Sequence, residues 1–170
     1  MNKKNNRITV KDVARKAGVS TAAAGRALGG YGYVSEELRE KIMRAAEELG
    51  YVANQVARAM ITGKSQTIGV VGADISNPFF AEALRGISDI ARRHEFGVLI
   101  TSSDEDVPRE QEAVRILLEK QVDGLIVSPA DINNCHHLDQ AIAQGIPVVL
   151  LDRKLPTLAA DAVLIDNVHA

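Results

Sequence analysis

Four short apolar runs, Ile68–Val71, Val98–Ile100, Leu125–Val127 and Val148–Leu151, recur along the second part of the chain with a helical pattern in each gap. The gaps read as helices over Pro78–Arg93, Pro108–Lys120 and about Cys135–Gln144. Near-continuous apolar strands are buried on both faces, and strands joined through helices run parallel, so the alternation predicts an α/β doubly wound parallel sheet. Pro78 and Pro108 suit first-turn positions, where a missing N–H costs nothing, and Asn77 is placed to cap the first of these helices. A fifth strand is expected over Ala162–Ile165. Ligands of such a sheet sit beyond the carboxyl ends of its strands. The chain stops just past the fifth strand, at Asp166-Asn167-Val168-His169-Ala170, without a closing helix, which reads as a truncation.

The first 65 residues keep helical spacing throughout. Thr9 is placed to cap a helix over Val10–Ala17, with Asp12 as the reciprocal residue of a capping box. Gly18-Val19 make a tight turn, and Ser20 caps a second helix from Thr21 to about Leu28. After the loop Gly29-Gly30-Tyr31-Gly32-Tyr33, Ser35 caps a third helix that carries Leu38, Ile42, Ala45, Ala46 and Leu49 inward and ends at Gly50. Asn54 could cap a fourth, over Gln55–Ile61. Its length is below the roughly 12–15 residues that hold a helix alone in water, so it needs a partner or a ligand.

Charge separates the same two parts. Residues 1–65 carry 12 Lys+Arg against 6 Asp+Glu, whereas residues 66–170 carry 8 against 16, so a head of +6 sits on a body of −8. That asymmetry suits a protein of which one end meets a polyanion. One Cys excludes a disulfide framework and a Cys-rich zinc module. No apolar run approaches the roughly 20 residues needed to span a bilayer, so no membrane partner is expected. The polar, basic N-terminus leads into no signal-peptide core, and a cytoplasmic protein is expected.

Helix, Ala-Gly-Val-Ser turn and helix form a helix-turn-helix pattern, which lays its second helix in the major groove of DNA. The stretches TVKDVARKAGVSTAAAGRAL and VSEELREKIMRAAEELGYVANQVARAM resemble the head of the lactose-repressor (LacI/GalR) family of bacterial transcription regulators. TIGVV, DISNPFF, VDG and VVLLDR resemble the same family's ligand domain, so the likeness covers essentially the whole chain. It implies a helix-turn-helix domain over 1–53, a hinge helix and linker over 54–65, and the N-terminal part of a sugar-binding regulatory domain over 66–170. The implied partners are double-stranded operator DNA, a second copy of the chain, and a small sugar or sugar-phosphate effector in the full-length protein, with no cofactor.

Residue by residue, the resemblance implies that Ser20 contacts phosphate and that Thr21, Ala22 and Arg26 read bases. Arg26 can bond bidentately to guanine, and Thr21 and Ala22 can touch a thymine methyl. Asn54, Ala57 and Met60 match the hinge helix that enters the minor groove as a dimeric pair, Met60 standing where the family has a wedging Leu. Ala23-Ala24-Gly25 replace the family's usual Thr-Val-Ser. The hydroxyl contact at position 25 is therefore missing, and Gly25 weakens the helix by roughly 1 kcal/mol relative to Ala.

In the body, Asn77, Phe79, Phe80, Asp152 and Arg153 match sugar-contacting segments. An aromatic face packs on a sugar's C–H surface, a carboxylate accepts from paired hydroxyls, and Arg donates to oxygens. Core packing for one phenylalanine and a local surface ion pair for Asp152-Arg153 remain the alternatives, and Ser128 and Asp104 also end strands and are further candidates to line the cleft. Cys135-His136-His137 reads as a surface helix start, because adjacent helical residues diverge and no metal site follows from them. Asp104-Glu105-Asp106 reads as a solvated loop at a helix N-terminus. No phosphate-binding glycine motif and no nucleophile–base set is present, so no catalytic residue is assigned and the chain is not read as an enzyme. A pure solute-binding protein is the remaining alternative, disfavoured by the basic head.

Overall fold

The computed structural model describes residues 8–165, and for residues 55–57 the backbone alone. The chain divides into two units, Met1–Gly63 and Lys64–Ala170. In the first, Thr9 begins α1 (Val10–Ala17), and the Asp12 carboxylate accepts from both the backbone N–H and the hydroxyl of Thr9 at 3.0 and 2.7 Å. Then come α2 (Thr21–Gly29), α3 (Glu36–Leu49) and α4 (Gln55–Thr62). Val13, Ala14 and Ala17 meet Ala24 and Ala27 of α2 and Ile42, Ala45 and Ala46 of α3 in one buried cluster. Alanine at most of these contacts lets the three helices approach closely. Burial of this inner stripe, rather than propensity, holds helices this short.

The second unit is a five-stranded, all-parallel sheet of order β2-β1-β3-β4-β5. Its strands are β1 (Thr67–Gly72), β2 (Gly97–Ser102), β3 (Gly124–Val127), β4 (Val148–Leu151) and β5 (Asp161–Val163). The connecting helices are α5 (Pro78–Arg93), α6 (Val107–Glu119) and α7 (His136–Ala143). Val71, Leu117, Leu125, Val127, Leu138, Leu150 and Leu155 pack into its core. The doubly wound sheet anticipated from the apolar runs is present, with two differences. Val98–Ile100 does not belong to a strand buried on both faces: β2 is an edge, and Leu99 and Ile100 stay exposed. The fifth strand starts one residue earlier than expected and stops at Val163, leaving Leu164 and Ile165 exposed.

The linker expected over 54–65 is shared between the units. Residues 55–62 form α4 within the first unit. At the start of the second, the Asp123 carboxylate before β3 takes the Ser65 N–H (2.8 Å), the Ser65 hydroxyl (3.0 Å) and the Gln66 N–H (2.9 Å). Gln66 carries a left-handed φ of 52°, a conformation a non-glycine residue keeps only where its surroundings impose it.

Candidate DNA-reading helix and effector rim

Ser20 caps α2 by accepting the Ala23 N–H at 3.1 Å, and its hydroxyl proton stays available to an anion. Because Ala24 and Ala27 are buried, helical geometry turns Thr21, Ala22, Gly25 and Arg26 outward, and all but the half-buried Gly25 are exposed. The stripe therefore combines a helix N-terminus, where unpaired N–H groups attract phosphate, with a long cation one turn further on. The helix carries no acidic residue in its first turn. In contrast, Arg15 of α1 is neutralised by Asp12 at 2.5 Å, and Lys16 by Glu48 at 2.7 Å. Arg26 makes no ion pair among the described residues.

Asn54 precedes α4 and is exposed. Met60 on α4 is 83% exposed, which is unusual for a large apolar side chain. Ala57 lies on the same helix, its side chain outside the described residues. The helix that could not stand alone borders a groove of about 340 Å³ on the head, where Arg58 and Ile61 of α4 face Ile8, Tyr31 and Tyr51.

In the body the carboxyl ends of the strands gather the second set of residues. Asn77 is exposed and caps α5, its Oδ1 accepting the Phe79 N–H at 3.0 Å. Phe79 is half-buried and meets Phe80 edge-on with ring centroids 5.0 Å apart, while Phe80 is buried in the fold. Of the two rings offered by the sequence, Phe79 is thus the one open to a ligand; Phe80 supports it. Arg153 is not simply paired with its neighbour. Its Nη1 donates to the Pro129 carbonyl at 3.1 Å and its Nη2 to Glu105 at 2.7 Å, whereas Asp152 lies 3.9 Å from its Nε. Asp104, Glu105 and Asp152 all hold left-handed φ angles on this rim. Such strain gathers where side chains must be aimed. Ser128 is fully buried after β3, and its hydroxyl has no hydrogen-bond partner among the described residues. After β1, the hydroxyl and N–H of Ser76 hold the Asp74 carboxyl below its ordinary range.

Two expectations about neighbouring segments change. The run Asp104–Asp106 is engaged rather than merely solvated: Asp104 accepts from Ser102 and pairs with Arg109, Glu105 holds Arg153, and Asp106 caps α6 through the Arg109 N–H. Of Cys135-His136-His137, only His136 lies at the surface. His137 is buried against Glu110 of α6, Nε2 to Oε1 at 2.7 Å, and the other carboxylate oxygen of Glu110 accepts the Ala130 N–H at 2.6 Å. Sequence inspection passed over Glu110, although it shares the helical spacing of the buried Ala113, Val114 and Leu117. A carboxylate on an inward stripe signals a buried partner.

Taken together, a helix-turn-helix head with an outward cationic stripe and a parallel-sheet lobe with a polar rim define a helix-turn-helix protein that carries a binding-protein-type lobe. Residues 9–54 match the family described as bacterial regulatory proteins, lacI family, and residues 68–170 match the periplasmic binding protein domain. The chain belongs to the lacI family of bacterial regulatory proteins. It is 36% identical over 160 residues to the HTH-type transcriptional regulator RegA of Clostridium saccharobutylicum, covering 94% of this chain and 48% of that protein. It is 35% identical over 156 residues to the ribose operon repressor of Haemophilus influenzae, covering 92% and 46%. The crystal structure of the lac repressor dimer bound to operator and the anti-inducer ONPF superposes with a TM-score of 0.76 at 25% identity, over 95% of this chain and 49% of that one. The chain thus spans about half the length of the relatives it matches. No helix among the described residues is long and apolar enough to cross a membrane.

Proposed function

We propose that the chain is the DNA-reading head and first effector-binding lobe of a sugar-responsive transcriptional repressor, a cytoplasmic protein without enzymatic activity that acts as a homodimer on operator DNA. The observation that carries this reading is the α2 stripe. Ser20 and the free N–H groups of the first turn meet phosphate, Thr21 and Ala22 meet thymine methyls, and Arg26 donates to guanine. Asn54, Ala57 and Met60 bring α4 to the minor groove, where two copies pair and the exposed Met60 wedges a central base step. Asn77 and Phe79, with Asp152 and Arg153, form one face for a small sugar or its phosphate. Such an effector acts by binding one spacing of the two protomers better than another, which grants or denies each α4 its mate.

The test uses duplexes enriched from a random pool by the 170-residue chain, with binding followed by fluorescence anisotropy. Arg26→Ala is expected to erase the preference at one symmetric pair of positions, at a cost of about 1–3 kcal/mol per half-site. Equal weakening on every sequence would reduce Arg26 to a phosphate contact. For the effector, calorimetric titration starts with ribose, and purine binding with no sugar binding would sink the assignment.

A further inference from the structure

The loop after α2 bears on position 25, where the outward stripe lacks a side chain. Gly30 and Gly32 hold φ angles of 70° and 67°, which L side chains rarely adopt, and both the Gly30 and the Tyr31 N–H return to the Arg26 carbonyl. The chain therefore doubles back, and the Tyr31 ring lies along α2 over Gly25 and Gly29. A Cβ at position 29 would stand 2.3 Å from Cε1 and 2.6 Å from Cδ1 of Tyr31, closer than any packing allows. A Cβ at position 25 would stand 3.3 Å from the Tyr31 hydroxyl, its one neighbour within 4 Å. Two glycines spaced by four residues thus form a flat seat for the ring, and the hydroxyl comes to rest at the vacant place on the stripe. A Cβ at position 32 would lie 3.1 Å from Cδ of Arg26, so the same loop borders the Arg26 stem. The Tyr31 hydroxyl makes no hydrogen bond among the described residues.

We infer that Tyr31 is a specificity-determining DNA contact, its hydroxyl carried from the loop to the place on α2 where Gly25 offers no side chain. The inference rests on the proposal that α2 reads DNA. A tyrosine hydroxyl both donates and accepts, so it can bond a base edge directly. The glycines that weaken α2 as a helix make room for this side chain, and the αL glycines of the loop deliver it.

Tyr31→Phe tests this cleanly, because it keeps the ring and its packing and removes only the O–H. Wild-type and variant chains are each used to enrich duplexes from one random pool, and the enriched sequences are compared position by position. Tyr31→Phe is expected to lose preference by roughly tenfold at one symmetric pair of positions, distinct from the pair read by Arg26, with the rest of the profile unchanged. Adding Gly25→Ser to Tyr31→Phe is expected to restore preference there, because the atom that crowds position 25 is the one removed. Gly29→Ala, which ejects the ring, should reproduce the loss. An unchanged Tyr31→Phe profile, or weakening spread evenly over all sequences, overturns the inference while leaving the DNA-binding proposal standing. A wild-type chain that enriches no sequence overturns that proposal and the inference with it.

Discussion

Glu110 offers the sharpest test of how the rim is held. Its carboxylate is 1% exposed and accepts two short hydrogen bonds, from His137 on α7 and from the Ala130 N–H on the loop after β3. The neighbouring Pro129 carbonyl of that loop receives Arg153. Glu110→Ala removes both bonds and leaves His137 buried beside a cavity. Hydrogen bonds to a charged group are worth about 1.5–3 kcal/mol each, so losing the two is expected to cost about 4 kcal/mol. Against a total stability of about 5–15 kcal/mol this is a large share. Glu110→Gln keeps an acceptor for Ala130 and offers an amide to the histidine ring, so about 1–2 kcal/mol is expected there. Urea unfolding followed by far-UV circular dichroism reports helix in both units, and the body transition is the part that tyrosine fluorescence does not share. The three tyrosines, Tyr31, Tyr33 and Tyr51, all lie in the head, so tyrosine fluorescence reports that unit and serves as an internal control. A body transition in which Ala and Gln variants agree within about 1 kcal/mol, or a head transition that shifts equally, would refute the assigned role.

Two other outcomes follow. Asp123→Ala should speed hydrogen exchange of the Ser65 and Gln66 amides by at least about tenfold while Val70 and Val71 in β1 stay protected; unprotected Ser65 and Gln66 amides in the wild-type chain would show that the carboxylate does not hold them. The Asp12 carboxyl lies below its ordinary value of 3.8, chiefly through the Thr9 hydroxyl and then the Thr9 N–H. A depressed folded value means that its contribution to α1 is complete above the unfolded value and disappears as pH falls through the folded one. Carboxyl carbon chemical shifts should give a midpoint below 3.8 for Asp12, and a midpoint at or above that value contradicts the cap.

What was legible beforehand follows from what each feature depends on. Strand and helix periods are local, so β1, β3, β4 and the seven helices emerge from spacing and caps within a residue or two. Edge position is not local. The apolar run of β2 looks as buried as that of β3, and only the sheet order exposes it. At the rim, types and positions were readable for Asn77, Phe79, Asp152 and Arg153, but the partners of Arg153 come from segments 24 and 48 residues away. The Glu110–His137 pair spans 27 residues. Gly25 shows the other limit. Propensity registers its cost to the helix, whereas its use depends on a loop geometry that only the left-handed Gly30 and Gly32 create.

The carboxylate of Asp123 also sets where the chain begins to belong to the sheet. By gripping two successive amides just before β1, it turns the beginning of the tether into part of the sheet rather than a swivel. Any movement of the sheet at Asp123 therefore carries Ser65 and Gln66 with it.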